Sequence, residues 1–122
     1  MARPREFDET LAIDAAATVF RRRGYAATSI EDIVQATGVH RGSLYATFGS
    51  KRGLFLRVLE RATTSSMPAD EKLDLLLTAL VELPPGDRVL RERIELLMFT
   101  SETTADQLGQ RLLDRARAKI VK

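Results

Sequence analysis

From residue 7 onward, apolar residues recur at steps of three and four, so the chain is expected to be helical nearly throughout, without strands. Phe7, Leu11, Ala15, Ala16, Val19 and Phe20 mark one face of a first helix. Asp8 is placed to start it, with Glu9 in the first turn suiting the helix dipole. Arg21, Arg22 and Arg23 fall in its last turn, where dipole complementation and solvation explain them, and Gly24 is expected as a left-handed C-cap. Next, Ser29 and Asp32 have capping-box spacing ahead of Ile30, Ile33 and Val34, on a helix of about two turns that Gly38 ends. A helix so short holds only when packed against neighbours.

The chain restarts at once. Val39, Leu44 and Phe48 are expected to face inward, while Arg41, Gly42, Ser43, Tyr45 and Thr47 fall on the outer side. Ser50 is a fresh N-cap for a fourth helix from Lys51 to about Thr64, carried by Leu54, Phe55, Val58, Leu59 and Ala62. The polar stretch Thr63 to Pro68 divides a first domain, residues 1–64, from a second, residues 65–122. There, Leu73, Leu76, Leu77, Leu80 and Val81 mark a fifth helix, stopped by Pro84, Pro85 and Gly86. A sixth carries Val89, Leu90, Ile94, Leu97 and Met98. A seventh, capped by Thr103 with Asp106, carries Leu108, Leu112, Leu113, Ala116 and Ile120.

Composition narrows the function classes. Aromatics are only 6%, so Leu, Ala, Val and Ile must supply most of the core. With no Cys, disulfides and thiolate chemistry are excluded. No apolar run approaches the roughly 18 residues of a membrane span. The basic start, with Arg3 and Arg5, runs into Glu6, Asp8 and Glu9 rather than an apolar signal core, so a cytoplasmic location is expected. The formal net charge is only +2 and does not announce a nucleic-acid binder. Its distribution says more: Arg41, Lys51, Arg52, Arg57 and Arg61 cluster, opposed locally by Glu60 alone. Such a cluster suits a phosphate backbone or, equally, a solvated helix face.

Two short helices about a Gly-containing turn, braced by longer ones, form a helix-turn-helix from about Ser29 to Phe48. In such a motif the second helix enters the major groove and needs a small, polar outer surface. Gly42, Ser43, Ala46 and Thr47 meet that need. An ordinary packed helix has little reason for Gly in its first turn, where it weakens propensity. His40, the only histidine, lacks the His/Cys partners of a metal site, and Ser43 lacks a nearby base and an elbow motif. No metal, cofactor or catalytic residue is therefore expected.

The segment Gly24 to Ile33, then Gly38-Val39, then Gly42 to Lys51 closely resembles the TetR/AcrR family of bacterial regulators, over roughly Phe7 to Glu60. The resemblance implies an all-α fold: a three-helix DNA-binding head, linked by a fourth helix to a partial helical ligand and dimerisation domain. It implies that Tyr45 and Lys51 clamp phosphates, that Thr28 and Ser29 add backbone contacts, and that Arg41, Gly42, Ser43, Ala46 and Thr47 reach base edges. Arg41 suits bidentate reading of a guanine, worth about 1–3 kcal/mol of discrimination, or a further phosphate contact. His40 caps the recognition helix or touches phosphate. Arg3 and Arg5 form a minor-groove arm or a basic tail. Val34 departs from the small residue preferred four positions before the turn glycine.

The implied partners are double-stranded DNA, a small-molecule effector and a second copy of the chain. Pro68 to Lys122 is short for the regulatory half, as a truncated or a naturally short form would be, and the uncapped run through Val121 favours truncation. Dimerisation is accordingly expected to be weakened, with Leu76, Leu80, Leu97 and Leu112 partly uncovered. The alternative is a protein-interaction module that forms mixed dimers with a longer relative and binds DNA weakly.

Overall fold

The computed structural model describes residues 7–120, with side chains described through residue 118; Arg3 and Arg5 lie outside the described residues. Among these residues there are seven α-helices and no strand: α1 Glu9–Arg23, α2 Ile30–Thr37, α3 Arg41–Phe48, α4 Lys51–Thr64, α5 Ala69–Glu82, α6 Arg88–Thr100 and α7 Ala105–Ile120. The chain divides into two compact units, residues 1–58 and 59–122, and the division falls inside α4 rather than at the polar stretch after it.

In the first unit, caps set the helices. The Asp8 carboxylate accepts from the amides of Thr10 and Leu11 and starts α1. Ser29 and Asp32 form the full reciprocal box at the start of α2. The Ser50 hydroxyl accepts from the Gly53 amide at 2.9 Å at the start of α4. Gly38 ends α2 in the left-handed region at φ 73°, ψ 8°, its amide donating to the Val34 carbonyl. Gly24 also has a positive φ but not the expected left-handed cap; at φ 84°, ψ −174° it is extended, so the chain leaves α1 directly for the Tyr25 turn. Glycine tolerates that region at little cost.

The core of this unit holds Ile13, Phe20, Ile33, Leu44, Phe48, Leu54, Phe55 and Val58. Phe20 and Phe55 meet edge to face at 5.0 Å, and Tyr25 stands 5.3 Å from Phe55, so three of the few aromatics sit together. Val39, Leu44 and Phe48 face inward as the sequence leads one to expect. The buried face of α1 is different. It is Ala12, Ile13, Ala16, Ala17 and Phe20, whereas Leu11 is 67% exposed. With alanines at 12, 15, 16 and 17, two adjacent stripes have helical period, and the one carrying Ile13 is the one buried.

In the second unit, α5 packs against both α6 and α7. Its buried run is continuous from Asp74 to Ala79, while Leu80 and Val81, expected inward, are exposed. A helix with neighbours on two sides buries more than one stripe, which blurs its period. Of the four leucines expected to be partly uncovered, Leu76 and Leu97 are fully buried, and Leu80 and Leu112 are each 48% exposed. The N-terminal box of α7 lies one residue later than expected: Thr104 and Gln107 exchange hydrogen bonds of 2.8 and 3.2 Å.

Candidate nucleic-acid interface

The outer face of α3 is built by exclusion. Leu44 and Phe48, four residues apart, are buried, which turns Arg41, Gly42, Ser43, Tyr45 and Ala46 to solvent and leaves Thr47 half-buried. Tyr45 is 42% exposed and is the only large side chain on this face besides Arg41. Gly42 is the informative position. Its backbone is ordinary, and a Cβ added there would meet no atom within 4 Å. Nothing among the described residues requires glycine there, although glycine costs a helix about 1 kcal/mol relative to alanine. Gly53, which sequence reasoning passed over, is the opposite case. A Cβ there would overlap the Phe48 carbonyl oxygen, so the turn between α3 and α4 depends on its absence. No helical period reveals such a contact.

The flanking residues divide into those that face outward and those spent on the fold. At the exposed start of α2, the Ser29 hydroxyl accepts from the Asp32 amide at 3.0 Å and the Asp32 carboxylate accepts the Ser29 amide at 2.9 Å. Those hydrogen bonds from the Ser29 amide and then its side chain, helped by Arg23, hold the Asp32 carboxyl below the usual range. Thr28 departs from its expected role. It is 1% exposed, its hydroxyl donates to the Gly24 carbonyl at 2.6 Å, and its amide donates to the Tyr25 carbonyl. Neither group is left for a phosphate.

Lys51 is also drawn into the fold. Its ammonium donates to the carbonyls of Tyr25 and Thr28, both at 3.0 Å, and stands 4.4 Å from the centre of the Tyr25 ring. An ammonium has three N–H groups. Lys51 thus ties the start of α4 to the loop before α2 and has one donor beyond those two bonds. His40 occupies the N-cap of α3, but its side chain makes no capping hydrogen bond, so the expected cap is supplied by its backbone alone. Arg41 donates to Glu31 at 2.7 Å. From the basic cluster, Arg57 turns to Glu9 at 3.1 Å and to the face of Phe48. Among the described residues no group of His, Cys, Asp and Glu could hold a metal, and no helix is long and apolar enough to cross a membrane.

Two short helices with this turn, a buried apolar inner face and a small polar outer one define a helix-turn-helix nucleic-acid-binding head. Comparison with known proteins is more specific. The family model for bacterial regulatory proteins of the tetR family matches residues 12–58. The HTH-type transcriptional repressor ComR of Escherichia coli (strain K12) is 49% identical over 59 residues, 48% of this chain and 28% of the relative. The repressor BdcR of the same organism is 45% identical over 67 residues, 54% of this chain and 34% of the relative. The regulator AcrR of Shigella flexneri is 33% identical over 103 residues, 83% of this chain and 43% of the relative. No solved structure gives a match. Residues 12–58 thus match the head of the tetR family of bacterial regulators. It spans less than half the length of each of these relatives.

Proposed function

We propose that this protein regulates transcription by placing α3 in the major groove of a specific DNA site. The observation that carries the reading is Gly42: exposed, helical, and free of any neighbour that would forbid a side chain. A groove wall approaching that face supplies the missing reason for glycine. Ser43, Ala46, Thr47 and Arg41 then lie at base edges, and Tyr45, Ser29 and the third donor of Lys51 meet phosphates that fix register. The relatives named as repressors support repression as the output. A small-molecule effector, action in the cytoplasm and binding of a pseudo-palindrome by two weakly associated copies complete the proposal.

Selection from random-sequence duplex pools tests it. Enrichment of a defined half-site or palindrome, lost on Tyr45→Ala without loss of helicity, is the expected result. Absence of enrichment at low salt would overturn DNA reading and favour a role in protein interaction.

A further inference from the structure

The outer side of α1 carries an apolar stripe that the described residues of the first unit do not bury. Leu11, 67% exposed, and half-buried Ala15 and Val19 follow one another at four-residue steps. They border two adjoining open grooves, of about 370 and 260 Å³, whose other wall is Ala36 of α2. The ends of the stripe are oppositely charged: exposed Asp8 at the N-terminus and exposed Arg22 at the C-terminus. Nothing in the helix-turn-helix reading uses this surface.

The geometry points to a second copy of the same chain as the occupant, its α1 lying antiparallel on this one. Ala15 stands midway between Leu11 and Val19 and also midway between Asp8 and Arg22. A two-fold axis at Ala15 therefore sets Leu11 on the partner's Val19 and Asp8 beside the partner's Arg22, and the same pairs repeat on the other side. Such a self-complementary patch is what an isologous contact requires. The small side chain at the centre lets the helix axes approach to about 8 Å. From Asp8 to Arg22 the seam runs for about 21 Å. Parallel pairing would put like charges together at both ends, so charge alone selects the antiparallel register. The contact joins two heads through α1 and is independent of any association through α5–α7.

The chain contains no cysteine, which makes a direct test possible. In the full chain, Ala15→Cys places two thiols at the axis, and Ala46→Cys, exposed on α3, serves as the control. Under mild oxidation, A15C is expected to form a covalent dimer at least tenfold faster than A46C. Leu11→Glu or Arg22→Glu added to A15C should slow it at least fivefold, with helicity checked by circular dichroism. Equal rates for A15C and A46C would overturn the proposal and leave the stripe to a different partner or to solvent. A fast A15C reaction that neither added charge slows would overturn it as well, because the stated register would then not be responsible.

Discussion

The guanidinium of Arg41, on the first turn of the recognition helix, lies 2.7 Å from the Glu31 carboxylate on the first turn of α2. Both side chains are more than half exposed, so the pair is worth at most about 1 kcal/mol. In the proposed complex Arg41 must give up Glu31, or share it, to reach DNA. Glu31 also brings negative charge to the surface that would face phosphates. Glu31→Gln is therefore expected to tighten DNA binding, by about fivefold or less if the pair is the main obstacle. Arg41→Ala should weaken it. Fluorescence anisotropy against the selected site at fixed salt checks both, and unchanged affinity for Glu31→Gln would show that the pair persists in the complex.

Gly42 separates binding from stability in one substitution. Because a Cβ there meets nothing and the backbone is helical, Gly42→Ala should stabilise the head by about 0.5–1 kcal/mol. If α3 lies in the groove, the added methyl should cost at least about tenfold in affinity, equivalent to 1.4 kcal/mol. Urea unfolding and DNA titration read the two effects separately. A variant that is more stable and binds as well as the parent would mean that the groove wall is not what keeps this position a glycine.

The architecture of the head was legible because its signals are local. Capping pairs such as Ser29 with Asp32, the left-handed Gly38 and the inward triad Val39, Leu44 and Phe48 all lie within a few residues of what they control. Other features were decided by contacts that no helical period reveals. Leu11 and Ile13 sit on competing stripes, and only tertiary packing chooses between them. Thr28 and Lys51 carry residue types suited to phosphate, but the Thr28 hydroxyl is spent on the Gly24 carbonyl, and two of the three Lys51 donors go to the loop before α2. Asp74 gave no signal at all, because its arginines lie 37 positions and more along the chain.

The capping box makes α2 sensitive to acid in a defined direction. The Asp32 carboxyl is held below its usual range, first by the hydrogen bond from the Ser29 amide. A depressed value means that the ionised form is favoured by folding. Its contribution is complete above the unfolded value of about 3.9 and is lost as pH falls through the lower folded value. Asp32→Asn should accordingly lower the melting temperature at neutral pH, and the gap to the parent should narrow only below about pH 4. Melting curves from pH 7 to pH 2 test this. A gap that already closes at pH 6 would assign the effect to some other group.

In the second unit the attachment of α7 rests on charge more than on apolar burial. Leu112 and Leu113 are 48% and 52% exposed, and no side chain described on α7 is fully buried. Instead Arg111 makes two hydrogen bonds of 2.9 Å to the two carboxylate oxygens of Asp74 on α5, and Arg115 approaches the same carboxylate at 3.7 Å. The Asp74 hydrogen bonds raise the Arg111 pKa above its ordinary value. The Asp74 side chain is 9% exposed, but each arginine is about a third exposed and can turn to water if its partner is lost. The cost of Asp74→Asn is then about 1–3 kcal/mol, below that of breaking a fully buried pair. That loss should fall on α7 before the rest of the unit, because α5 and α6 pack on each other and carry the buried Leu75, Leu76, Ile94 and Leu97. Amide hydrogen exchange on Asp74→Asn should show faster exchange along Ala105–Ile120, with α5 and α6 little changed. Equal acceleration in all three helices would mean that the ion pair supports the whole unit rather than the docking of its last helix.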